Sequence, residues 1–342
     1  MSEMRGSQAS QPMVPDAANP DSVSVIATVL NEVDNIDRLV ESLMNQRTSP
    51  SEVVIVDGGS TDETWDRLER AKLKYPKLVA IRDESCRLDQ SPGPISRGRN
   101  VAIAATSSDV IACADAGCSY EPDWLANLTA AIRSGEAQYA LGGSCIAPED
   151  STVWDLAAAP FLGVKLRADA KTKSCTARSM AFQKKLWKRV GGFPEDRFFG
   201  EDTMFDMKVR AIAAPAFVER AKALYRPHLS FGSAVGQLAS YALSDGISGI
   251  RPARFLRNFA RCLLGVAAIL LLWRTVIPLV AAIALELYFA FHFELGPVRG
   301  RTIRVAAARL IYSVCVPWIV ALNQLKGAMT KASVPNRQNR NT

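Results

Sequence analysis

The chain has 342 residues, 48% hydrophobic and 22% charged, with a formal net charge of +7. Such an apolar fraction excludes a wholly disordered chain, and the length points to one large domain or a domain with an appendage. Seven cysteines without a CxxC pair speak against a zinc ribbon or a disulfide scaffold.

Residues 1–21 are polar, contain Pro12, Pro15 and Pro20, and lack the apolar core of a signal peptide; they are expected to form a disordered cytoplasmic leader. From residue 22 strands and helices alternate. Strands are predicted over 23–29, 52–56, 78–81 and 109–113, and helices over 32–45, 61–74 and 96–105. Strand–helix units of this length imply an α/β fold, a mostly parallel sheet flanked by helices. The second half is less regular, with strands expected over 139–146 and 177–182 and helices over 184–190, 202–213 and 234–244. Trp124 and Trp187 read as packing residues.

Ligands of an open parallel sheet bind beyond the carboxyl ends of its strands. Here those ends carry Asn31-Glu32, Asp57 and Asp115, which should meet on one rim. No GxGxxG follows the first strand and no GxxxxGK[ST] occurs, so a dinucleotide-dependent dehydrogenase and a P-loop enzyme are both disfavoured.

Six segments, in order, carry a resemblance. They are VSVIATVLNE (23–32), EVVIVDGGSTD (52–62), GRNVAI (98–103), IACADAGC (111–118), GGFPE (191–195) and GEDT (200–203). Together they resemble family 2 glycosyltransferases of the GT-A fold over roughly residues 22–230, and a GT-A domain is expected over 22–250. The resemblance implies a nucleotide-sugar donor, with Thr28, Glu32 and Asp57 at the base pocket, and Arg99 and Asp115 also on the donor. Asp202 would be the general base of an inverting transfer, with Glu201 and Gly143 on the acceptor side. Gly142-Gly143, Arg178-Ser179-Met180-Ala181 and Gly191-Gly192 are expected to shape the acceptor half, where glycines allow close backbone approach to a sugar.

A divalent cation, Mg²⁺ or Mn²⁺, is also implied, held by Asp115 and His228. The sequence departs from the family pattern at Gly117, which stands where the second carboxylate of the Asp-x-Asp signature belongs. No Gln-x-x-Arg-Trp signature follows Asp202, which points to transfer of a single sugar rather than to a processive synthase. The competing readings are a nucleotidyltransferase, which should show a basic Gly-rich loop after the first strand, and a non-catalytic sugar-nucleotide-binding protein, which Gly117 would suit.

The C-terminal part differs in charge. Residues 251–342 carry 13 basic and two acidic side chains, a net of +11, which leaves −4 on residues 1–250. Apolar runs over 263–273, 276–291 and 310–322 lie among these arginines, a pattern of attachment to the cytoplasmic face of a membrane rather than of nucleic-acid binding. A helical membrane-associated region is expected over 251–326, re-entrant or in-plane because Arg274 would cost ~2.5–3.5 kcal/mol at mid-depth. A disordered basic tail is expected over 327–342. The acceptor is then expected to be a glycan or a lipid-linked molecule at that surface.

Overall fold

The computed structural model describes residues 22–146, 151–162, 176–198, 200–226, 230–249, 252–271, 280–285 and 302–333. The expected leader, His228 and Arg274 lie outside the described residues.

The first half follows the predicted alternation. β1 (Val23–Val29) and β2 (Glu52–Asp57) are apolar and almost wholly buried, which suits the centre of a sheet covered on both faces. β3 (Leu78–Arg82) is the more exposed edge, and β4 (Val110–Cys113) is buried throughout. Between them run α1 (Ile36–Met44), α2 (Thr64–Lys74) and α3 (Pro94–Ala105). α1 shows how the pattern becomes packing: Ile36, Leu39, Val40 and Leu43 recur at helical spacing and are the residues it buries.

The second half contains β5 (Cys118–Tyr120), α4 (Trp124–Arg133), β6 (Tyr139–Ile146), α5 (Val153–Ala158), β7 (Met180–Gln183), α6 (Lys184–Val190), α7 (Glu201–Arg210), β8 (Ala216–Tyr225) and α8 (Phe231–Ser248). The sheet order is β3-β2-β1-β4-β7-β6-β8-β5. Four of the seven pairings are parallel and three, β4/β7, β6/β7 and β5/β8, are antiparallel. The sheet is therefore mixed, its parallel half lying N-terminal in sequence. Because β2 and β4 both run parallel to β1, the carboxyl ends of all three open on one rim.

After Gly249 (φ 70°) closes α8, the chain enters α9 (Pro252–Leu271) and, later, α10 (Thr302–Ser333). α10 overruns the expected tail, staying helical to Ser333. Its segment Arg304–Thr330 is long and apolar enough to cross a membrane, with an 18-residue stretch of mean hydropathy 1.9, yet half of that stretch is buried inside the protein. Ala308, Tyr312, Val316 and Val320 pack against Ala234, Leu238 and Ala242 of α8 and Ala157 and Ala158 of α5. Two glycines permit the close crossing. A Cβ on Gly246 would lie 2.1 Å from the Gln324 carbonyl oxygen, and one on Gly327 would lie 2.2 Å from that of Leu243. One side of α10 is thus body core, while Ile311, Val314, Trp318, Leu322, Leu325 and Met329 are exposed on the other.

Candidate active site

The loops after β1 and β2 are laced together by side chains. Asn31 adopts a left-handed conformation (φ 53°), tolerable for its short polar side chain. Its N–H donates to Ser60 Oγ at 2.9 Å and its Oδ1 accepts from the Thr61 N–H at 2.8 Å. The Glu32 N–H donates to Thr64 Oγ1 at 2.8 Å. Asp57, at the end of β2, is fully buried. Its Oδ1 accepts from the N–H groups of Gly59 (2.9 Å) and Ser60 (2.7 Å) and from Ser60 Oγ (2.8 Å), whereas Oδ2 is buried with no hydrogen-bond partner. Glu32 accepts from Asn35 Nδ2 at 2.8 Å; burial raises its pKa, and the nearby Asp115 adds to the rise against the Asn35 bond.

α3 approaches β1 at Gly98, where a Cβ would stand 2.7 Å from Thr28 Cγ2. That closeness seats Arg99 beneath the rim. Nη1 of Arg99 donates to Glu201 Oε1 and Nη2 to Asp115 Oδ1, both at 2.8 Å. The Arg99 side chain is only 4% exposed. Burial opposes its charge, but the two carboxylates outweigh that and hold its pKa above the usual value. Glu201 is displaced upward, first by burial and then by Asp202, with Arg99 pulling the other way.

α7 begins at Gly200 (φ 76°), so Glu201 and Asp202 both fall in its first turn. Glu201 turns inward to Arg99, while Asp202 stays half-buried on the cavity wall. Asp202 Oδ1 accepts from the Thr203 N–H at 2.6 Å, and Oδ2 from the Ala177 N–H at 3.4 Å.

A cavity of about 820 Å³ opens here, lined by Thr28, Glu32, Arg99, Asp115, Gly117, Glu201 and Asp202. Its size suits a small-molecule ligand (~300–1,000 Å³). Six site residues expected from the sequence, Thr28, Glu32, Arg99, Asp115, Glu201 and Asp202, therefore meet at one place, together with Gly117. Asp57 itself is not among the lining residues, although its neighbour Gly58 is. Gly143 lies within β6, buried in register with Lys222, away from the lining. Arg99 lines the cavity with its charge already matched by two carboxylates.

Most of the remaining lining was not assigned from the sequence, although Arg178 belongs to the segment 178–181 expected on the acceptor half. It includes Arg178, Tyr225, Tyr241 and, from α9, Arg254, Arg257 and Arg261. Tyr225 ends β8, a strand without a clear apolar alternation. The three α9 arginines are spaced to share a helix face and line the cavity, whereas the sequence suggests only membrane-flanking charge. Trp124 and Trp187 are packing residues, their Nε1 groups donating to Ser179 Oγ and Asn100 Oδ1, each at 2.9 Å. The six cysteines among the described residues are free, and burial lifts Cys113 beside the site to about 12.

A divalent cation requires several oxygen ligands. Asp115 supplies one carboxylate, and Arg99 already occupies one of its oxygens. A Cβ at Gly117 would meet the Tyr225 ring at 3.3 Å, so an aromatic fills the approach a second carboxylate would need. Among the described residues no group of three His, Cys, Asp or Glu side chains is placed to hold a metal. The described residues by themselves do not fit the ion.

Comparison with known proteins agrees with this geometry. The model of glycosyl transferase family 2 matches residues 24–191. A dolichol-phosphate mannosyltransferase of Pyrococcus furiosus is 31% identical over 127 residues, covering 35% of this chain and 34% of its own length. Glycosyltransferase AglE of Haloferax volcanii is 31% identical over 124 residues, covering 36% and 38%. The chain thus spans 34% and 38% of these relatives. A mannosyltransferase from Pyrobaculum calidifontis, solved with GDP-Man and Mn²⁺, superposes with a TM-score of 0.61 at 17% identity, over 90% of this chain and 89% of that one. A likeness at that identity establishes the shared GT-A fold.

Proposed function

This chain is a member of glycosyl transferase family 2, and we propose that it transfers one sugar from a nucleotide-diphosphate sugar to a hydroxyl of a membrane-linked or glycan acceptor, with inversion. The observation that carries this reading is the meeting of Thr28, Glu32, Asp115 and Asp202 on one cavity at the rim of β1, β2 and β4. Asp57, whose Oδ2 lacks a donor, suits the ring N–H of a uracil-like base reaching past Gly58. The acceptor oxygen attacks the anomeric carbon as its proton passes to Asp202. The bond to the donor diphosphate breaks on the opposite face, and the nucleoside diphosphate leaves with the bonding pair.

Arg99 ties Asp115 to Glu201, and so fixes the distance from the donor side of the cavity to the turn that carries the base. The resemblance implies a divalent cation at Asp115 and His228, but His228 lies outside the described residues and Asp115 alone does not make such a site.

The acceptor side is read from α9. One edge of this helix, Arg254, Arg257 and Arg261, lines the cavity, while Leu256, Leu263, Leu264, Ile269 and Leu270 are exposed. We place this apolar face in the headgroup region of the cytoplasmic membrane leaflet, where the +11 of residues 251–342 complements anionic lipid. A lipid-linked acceptor would then meet the cavity at its arginine edge.

Asp202→Asn tests the base. The variant is expected to bind its nucleotide-sugar as the wild type does in calorimetry, and to release nucleoside diphosphate about 10²–10⁴-fold more slowly. Undiminished turnover would remove Asp202 from the mechanism.

A further inference from the structure

The two buried arginines of the cavity are held very differently. Arg99 is matched by two carboxylates at 2.8 Å. Arg178 has a side chain only 13% exposed, yet its ion pair with Asp115 is long, 3.8 Å from Nε to Oδ2. Its Nε is buried with no hydrogen-bond partner, and among the described residues its guanidinium donates no hydrogen bond. It stacks on the Tyr225 ring, 4.0 Å from the centroid. A buried cation with so little compensation is costly unless an anion completes it.

Its surroundings are built rather than loose. Tyr120 Oη accepts from the Asp115 N–H and donates to the Arg178 carbonyl oxygen, both at 2.9 Å, so one hydroxyl fixes both backbones. The adjacent Ala177 N–H reaches Asp202 Oδ2. The Tyr225 ring beneath the guanidinium is the group that a Cβ at Gly117 would strike. Where a second carboxylate would hold a metal ion, this chain therefore carries an arginine on an aromatic base.

We propose that Arg178 binds the diphosphate of the nucleotide donor and supplies there the positive charge that a carboxylate-held divalent ion would otherwise bring. The proposal rests on the reading of this cavity as a nucleotide-sugar site. A guanidinium suits a diphosphate because its planar fork gives parallel hydrogen bonds to two oxygens. As the sugar transfers, the bonding pair stays with the departing diphosphate, and Arg178 keeps its protons throughout. The arrangement also accounts for Gly117: a carboxylate in that place would displace Tyr225 and neutralise the arginine.

The test is calorimetric binding of UDP, GDP, ADP, CDP and dTDP, beside their parent nucleosides, in EDTA and again in Mn²⁺. For the diphosphate that the wild type selects, affinity in EDTA should lie within a factor of a few of that in Mn²⁺. Arg178→Gln should lose at least about 30-fold for the diphosphate, with its nucleoside affinity unchanged. Arg178→Lys, which keeps the charge without the fork, should fall between, and unchanged nucleoside affinity certifies the fold of both variants. Binding that collapses in EDTA and survives Arg178→Gln in Mn²⁺ overturns the role of Arg178 and leaves the donor site standing. Binding of none of the five under either condition overturns the donor site and the proposal with it.

Discussion

The two walls of the cavity solve opposite problems. The wall formed by the ends of β1, β2 and β4 is complete within itself apart from Asp57 Oδ2: loop is bonded to loop, and Arg99 is neutralised by Asp115 and Glu201. The remaining lining, from Arg178 and Tyr225 to the arginines of α9, presents positive charge with fewer carboxylate partners, although Arg254 pairs with Asp245 at 3.0 Å and Arg261 donates to the Ser313 carbonyl oxygen at 3.2 Å. The contrast separates residues that fix geometry from residues that await an anionic ligand. In stability measurements without ligand the first kind should matter greatly and the second hardly at all.

The largest effect should come from breaking the complete wall. Arg99→Met leaves Glu201 buried and uncompensated, and should destabilise the protein by about 3–5 kcal/mol in denaturant unfolding. Arg178→Met, at a side chain nearly as buried, should be neutral or slightly stabilising in the same assay without nucleotide, because no close partner is orphaned. Comparable losses in the two variants would erase the distinction between the walls. Gly98→Val should cost about 1–3 kcal/mol, since the new side chain starts 2.7 Å from Thr28 Cγ2 and pushes α3, with Arg99, away from β1.

The outer face of α9 is probed by Leu264→Glu with Leu270→Glu. The pair should weaken cosedimentation with phosphatidylglycerol vesicles about tenfold or more, and unchanged sedimentation would leave the apolar face without a membrane role. Deleting 251–342 is the poorer experiment, because it strips α10 from its seam on α8 and α5.

The smallest effect concerns Glu32. Burial raises its folded pKa above 4.5, so the folded state holds this proton more tightly than the unfolded chain does. The stability Glu32 contributes is complete below the unfolded pKa and is lost as pH rises through the folded one. Glu32→Gln should therefore raise Tm near neutral pH by about 2 °C, and the gain should vanish below pH 4.5. A gain that is constant with pH would exclude this cause.

Much of the complete wall was legible in the sequence. Unbroken apolar runs became β1 and β2 with nearly the predicted ends, and the polar residues after them reached one rim because parallel strands share a carboxyl edge. The other wall was less so. β8 alternates buried and exposed residues irregularly, with Glu219, Arg220 and Lys222 in its middle, so periodicity did not reveal it. Its partners β6 and β5 are distant in sequence, and Tyr225 reaches the cavity only through those pairings. Gly143, glycine-flanked and plausible as a sugar contact, is instead consumed by the β6–β8 ladder. α10 shows a further limit. A long apolar helix reads alike whether lipid or protein covers it, and only Gly246 and Gly327, meeting at the crossing, betray the partner helix.

The central claim is an inverting transfer directed by Asp202 in this cavity. Proton NMR of the first sugar product, recorded during turnover of an accepted nucleotide-sugar before mutarotation, tests it most directly. The account predicts that the anomer opposite in configuration to the donor appears first; first appearance of the donor's own anomer, or no consumption of any nucleotide-sugar, would contradict it.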